Sequence, residues 1–185
     1  MSKKESAPTV SKPSLQITLI RITNKDVVTI EASERVYVSP NGDPEAASQE
    51  RFIHHSMSSD FPPDKDFLEA FQKCKSYAMK MVEFNHKDIP LVNTMTVAEM
   101  RIAGEQEKEN SRVEFVLMKW IKRTGKGVPI RTSQAVMYGE KGKTDIPETV
   151  NMTKQIDAVI NEAWEYIGGK NGAGSKIQLA FAFKR

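Results

Sequence analysis

Apolar residues along this chain recur with two different periods, and the change of period divides the sequence into strands and helices. LQITLIRIT (15–23) is rich in β-branched residues, the polar stretch Thr23–Asp26 reads as a turn, and VVTIEASERVYV (27–38) resumes the strand texture. Ile20 and Ile22 share one face of the first strand, while Ile17 and Leu19 fall on the alternate positions. The pair is a hairpin whose second strand is expected to break near Ala32–Glu34. A second β region follows later: TMTVAEMRIAG (94–104), RVEFVLMKWIK (112–122) and VPIRTSQAVMY (128–138), with KIQLAFAF (176–183) near the end. In the middle strand Val113, Phe115, Leu117 and Ile121 occupy one alternation, and Val116, Met118 and Trp120 the other. A strand apolar on both sides is expected in the interior of a sheet, between helices and something else.

Helical spacing appears twice. After Pro62–Pro63, Asp64 is a candidate N-cap, and Phe67, Phe71, Cys74, Ala78 and Val82 draw one stripe opposite Lys65, Glu69, Lys73 and Lys80. Asp145, Pro147 and Glu148 have the chemistry of a helix start, and Ile156, Val159, Ile160, Ala163, Trp164 and Ile167 form the stripe that follows. Gly168–Gly169 then supply a left-handed stop. The resulting order, ββ–α–βββ–α–β, predicts an α+β fold: a mainly antiparallel sheet with two helices packed on it. Residues 1–13 read as a disordered tail and 14–185 as a single domain. Residues 39–63, rich in Pro, Gly, Asn, Asp and Ser, read as a long irregular loop, either mobile or functional.

Composition narrows the function classes. The chain has 185 residues, 39% hydrophobic and 28% charged, with a formal charge of +3. So small a net charge cannot by itself attract a polyanion, and any such argument must rest on local clustering. The lone cysteine, Cys74, excludes an internal disulfide and a multi-cysteine zinc site. No apolar run resembles a signal peptide or a membrane span, so a soluble, cytoplasmic protein is expected. The glycines of GGKNGAG (168–174) follow a helix instead of opening one, which is the wrong polarity for a phosphate cradle. His54 and His55 are adjacent and His86 lies beyond a helix, a poor metal set; Cys74 sits on an apolar stripe; no nucleophile elbow occurs. The expectation is a protein that is not an enzyme, with no catalytic residue, no metal and no cofactor.

One stretch stands out. KWIKRTGKGVPIR (119–131) carries Lys119, Lys122, Arg123, Lys126 and Arg131 together with Trp120, and no acid. As a β-ribbon it could track phosphates with its cations and offer the indole to an unpaired base. Hairpin tips also face water for other reasons, lysines protect sheet edges, and Trp120, in an apolar strand, reads as core before it reads as a stacking platform. The meander would put acidic Glu105, Glu107 and Glu109 at the opposite end. Lys141 and Lys143, and the tail residues Lys3, Lys4 and Lys12, could extend the basic surface.

Ala103–Gly104–Glu105, Glu107–Lys108–Glu109, Ile130–Arg131–Thr132, Tyr166 and Lys170 lie in a strand–turn–strand–strand–helix outline over about residues 95–183. In that outline the chain resembles a group of small tailed-phage proteins from replication and recombination regions. The resemblance implies association with DNA and transfers no catalytic residue. Two functions are expected. The first is a non-enzymatic accessory factor of phage or mobile-element origin that binds single-stranded nucleic acid through Lys119, Trp120, Lys122, Arg123, Lys126 and Arg131. The alternative is a protein-interaction module, or an inhibitor of a host or phage protein, acting through the 39–63 loop with Phe52, Ile53, Met57 and Phe61. A second subunit could also cover that loop.

Overall fold

A computed structural model describes residues 15–38, 49–82, 94–104, 110–121, 123–137, 149–172 and 182–183. Within them the chain builds strands β1 (Leu15–Ile22), β2 (Val28–Val38) and β3 (Gln49–Ser59), then helices α1 (Lys65–Lys73) and α2 (Lys75–Met81). Strands β4 (Met95–Ala103), β5 (Arg112–Ile121), β6 (Lys126–Arg131) and β7 (Ala135–Val136) follow, then helix α3 (Thr149–Ile167) and strand β8 (Ala182–Phe183). The strands form one antiparallel sheet in the order β6-β5-β4-β1-β2-β3-β8, with β7 also on β5. The fold is α+β, as the periodicities indicate.

The first strand becomes an inner strand because nearly all of its apolar residues are buried. Ile17, Leu19, Ile20 and Ile22 are each at most 7% exposed. Strict alternation could not achieve this. A β-bulge between Ile17 and Leu19 shifts the phase, so that Ile17, Ile20 and Ile22 join the helix-covered core while Leu19 turns to the other face. A second bulge between Val97 and Glu99 does the same in β4, bringing Met95, Val97, Met100 and Ile102 to the core and Glu99 to the open face.

Residues 49–59 correct the sequence reading. They are not loop: every residue of β3 pairs with β2, from Val28↔Ser59 to Val38↔Gln49. The strand was hidden because QERFIHHSMSS carries polar groups on the face turned to water, and its apolar count is low. Its core contribution is Met57 and the buried His55, whose Nε2 lies 3.0 Å from Glu34. Strand β2 also runs without the break expected near Ala32–Glu34. Residues 1–13, the remainder of the expected loop at 39–48, the acidic turn 105–109 and the expected helix start Asp145–Glu148 lie outside the described residues.

The first predicted helix is two. Asp64 caps α1 by accepting from the Phe67 N–H at 2.8 Å. The ladder then tightens at Cys74, whose N–H bonds to Phe71 three residues back, and α2 restarts from there. The apolar stripe continues through the junction, with Phe67, Phe71, Cys74, Ala78 and Met81 buried. Burial pushes the Cys74 thiol up to about 12, which leaves it inert as a nucleophile at neutral pH. Helix α3 lies against α1 through Met152, Ile156, Val159, Ala163 and Tyr166, all fully buried.

The end of α3 fastens this layer. Gly169, at φ 109°, forms a Schellman cap: its N–H reaches Tyr166 and that of Lys170 reaches Glu165. The Lys170 ammonium then sits 2.8 Å from Glu162, 2.9 Å from Glu165 and 3.4 Å from Asp64, carboxylates that hold it well above the usual lysine range. Tyr166 stacks obliquely on Phe67 at 5.7 Å and donates its hydroxyl to the Phe61 carbonyl. Tyr166→Phe should therefore leave that carbonyl without its partner and lower stability by about 1 kcal/mol. Urea unfolding, with an unchanged far-ultraviolet dichroism spectrum, measures it.

Candidate nucleic-acid interface

The face of the sheet opposite the helices carries a network of charged side chains. Glu99 is 6% exposed and lies between two arginines. Arg21 Nε donates to it at 2.6 Å from β1, and Arg101 Nε donates to its other oxygen from β4 itself. Burial alone would raise the carboxyl's pKa, but the two guanidinium hydrogen bonds outweigh it and hold Glu99 below the ordinary carboxylate value. In β5, Val116 pairs with both Glu99 and Arg131 and is buried among these long side chains. This accounts for the two-sided apolar pattern of β5 without a covering element among the described residues.

That network removes Arg131 from the predicted basic patch. Its guanidinium donates to Glu114 at 3.0 Å. Strand register also places it opposite Val116, five residues back from Lys126, or roughly 16 Å at strand spacing. The remaining cations behave differently. Lys119, Arg123 and Lys126 stand at the β5–β6 end, Arg123 and Lys126 exposed and Lys119 half-buried, and none enters an ion pair among the described residues. Lys122 lies outside the described residues. Because β4 is antiparallel to both β1 and β5, those two strands run the same way, and the β1–β2 turn with exposed Lys25 reaches the same end of the sheet.

Trp120 is half-buried and alternates with Lys119, so the indole faces the open side while Lys119 faces the helix side. The ribbon therefore does not present all of its expected site residues on one surface; only the apex cations can be reached from both sides. The indole lies across Gly127, its register partner: a Cβ there would come within 3.1 Å of the ring and 2.5 Å of the Met118 sulfur.

Trp120 forms one wall of a cavity of about 400 Å³, created by a split in the sheet. Strands β1 and β4 pair only from Leu19↔Arg101 to Arg21↔Glu99, then diverge. Gln72 of α1 satisfies the strand left open: its amide donates to the Val97 carbonyl at 2.9 Å and accepts from the Val97 N–H at 3.0 Å. Besides Trp120, the walls include Ile22, Val116 and Met118, and polar Asn24, Asp26 and Thr96 also line the space. Sequence reading missed these last residues. The turn Thr23–Asp26 was visible as polar, but its approach to Trp120 depends on pairing between strands 78 residues apart at Arg21 and Glu99.

Among the described residues no group of His, Cys, Asp or Glu is placed to hold a metal ion, and no helix is long and apolar enough to cross a membrane. No protein-family model, curated protein or solved structure matches the chain.

The clamp on Glu99 has a pH signature. Its pKa in the folded state is depressed, so its contribution is complete above the ordinary value of 4.5 and is lost as pH falls through the lower folded value. Glu99→Gln should cost about 1–3 kcal/mol at pH 7 and flatten the fall in stability below about pH 5. Urea midpoints measured across that range check both.

Proposed function

We propose that the protein is a non-enzymatic factor that binds single-stranded nucleic acid at the end of the sheet formed by the β1–β2 and β5–β6 turns. The observation that carries this reading is the gathering, at one end of the sheet, of Lys25, Arg123 and Lys126 beside an indole that lines an open cavity, with Lys119 on the opposite face of the same ribbon; none of these cations enters an ion pair among the described residues. Flexible cations suit phosphates, whose charge is the same for every sequence, and an aromatic wall suits a base that is not already stacked in a duplex. A narrow split lined by side chains admits a single strand and not a double helix. The resemblance to tailed-phage proteins supports a source in phage or mobile-element replication and recombination.

The test is anisotropy of a labelled single-stranded oligonucleotide across a salt series. Replacing Lys119, Arg123 and Lys126 together by Ala should weaken binding at low salt and make the log–log salt slope shallower by about 2, at roughly 0.7 per lost phosphate contact. Arg131→Ala, already paired to Glu114, should leave the slope unchanged. Absence of binding at low salt, or an unchanged slope in the triple variant, overturns the reading.

A second reading is favoured by a different surface. Beyond Glu34, the last described residue of β2 paired to β1, strands β2 and β3 continue among the described residues as a two-stranded ribbon. It exposes Tyr37 at 64% and Phe52 at 55%, with Arg35 over the Phe52 ring at 5.8 Å. Of the apolar residues first assigned to a contact loop, Met57 is core and Phe61 is half-buried, so only Phe52 and Ile53 remain available. A protein contact would use this ribbon. Concentration-dependent sedimentation that Tyr37→Ser with Phe52→Ser abolishes, in a protein that binds no oligonucleotide, would establish it in place of the first.

A further inference from the structure

The cavity beside Trp120 has walls and polar groups that match one class of ligand. We propose that it takes a single unpaired nucleobase bearing an exocyclic amino group, stacked on Trp120 and held through that amino group by the Asp26 carboxylate. This rests on the nucleic-acid reading above and specifies what the strand inserts.

Size restricts the occupant first. About 400 Å³ falls near the lower end of ligand clefts, roughly 300–1,000 Å³, enough for one ring system and part of its sugar. Shape restricts it next. The split between β1 and β4 is an opening at a sheet end, so a flat group must enter alone, as an extruded or single-stranded base does. The walls are apolar, and Gly127 leaves the space that Met118 and the indole occupy; any side chain there would displace both.

The polar end is anchored by a tight turn. The Thr23 N–H bonds to the Val27 carbonyl at 3.0 Å, the Asp26 N–H bonds to the Thr23 carbonyl at 3.1 Å, and the Thr23 hydroxyl accepts from the Val27 N–H at 3.2 Å. This closure holds Asp26 at φ 58°, a left-handed conformation that Asp and Asn tolerate better than other side chains. The cavity is thus given a carboxyl group whose oxygens accept hydrogen bonds. Glu99 and Arg21 also line it but are committed to each other. An accepting group favours a ligand edge rich in donors: the amino groups of cytosine and adenine donate at the position where thymine carries a carbonyl oxygen, and thymine keeps only its ring N3–H. The same accepting oxygens exclude a phosphate from the cavity, leaving phosphates to Lys25, Arg123 and Lys126 outside.

The test uses the full chain and labelled oligomers of about twelve nucleotides of oligo-dC, oligo-dA, oligo-dT and an abasic backbone, at one low salt concentration. Expected is binding of the dC and dA oligomers roughly tenfold tighter than dT, with the abasic strand weakest. Trp120→Ala should lower affinity for oligo-dC by about tenfold or more and bring it close to the abasic strand. Asp26→Asn keeps a residue suited to the left-handed turn and should abolish the preference for dC over dT. Equal affinity for dC, dT and abasic strands overturns the base site while leaving phosphate binding at the apex standing. A dT preference overturns the role of Asp26, and no binding by any strand overturns both this site and the reading on which it rests.

Discussion

The sheet is continuous only because of a short seam. Everything from β2 to β8 on one side, and from β4 to β7 on the other, meets at β1 and β4, which are paired at three positions. Glu99 closes that seam: Arg21 reaches it from one half of the sheet and Arg101 from the other half's own strand. The pair is worth more here than on an ordinary surface because the carboxylate is almost wholly shielded from water while the guanidinium groups remain partly solvated. Gln72 takes over where the strands part, lending its amide to Val97 in place of a neighbouring backbone. The cavity is the direct geometric result of ending strand pairing there without ending the sheet.

Much of the architecture could be read from the chain, and the failures have identifiable causes. The stripes of the helices and the two-sided apolar pattern of β5 depend on local spacing, so they survived folding. The stripe that includes Cys74 crosses a helix junction that no propensity marks, because the tightening is a matter of backbone geometry at one residue. The conflicting faces of Ile17 and Ile20 in β1 were a real signal, and a bulge resolves them by letting both enter the core. Strand β3 escaped notice because its pairing with β2 depends on backbone hydrogen bonds. Backbone pairing needs little from a polar sequence such as QERFIHHSMSS.

The interface was legible in part. Concentrated charge in KWIKRTGKGVPIR does place Arg123 and Lys126 at an exposed apex. Arg131 looked equivalent in one dimension but lies well down the strand, beside a carboxylate two positions from Val116. No local rule could foresee Asn24 and Asp26 beside Trp120, since that neighbourhood is created by β1 lying against β4. Long-range strand pairing is the information that a single chain gives up last.

Cys74 gives the molecule a built-in chemical reporter. It is the sole thiol, fully enclosed at the α1–α2 junction and with its ionisation suppressed. A soluble alkylating reagent can reach it only when the helix layer lifts from the sheet, so the rate of its modification counts those openings one molecule at a time. The unmodified wild-type chain can therefore be used to clock the breathing of its own interior, without an added dye or an engineered handle.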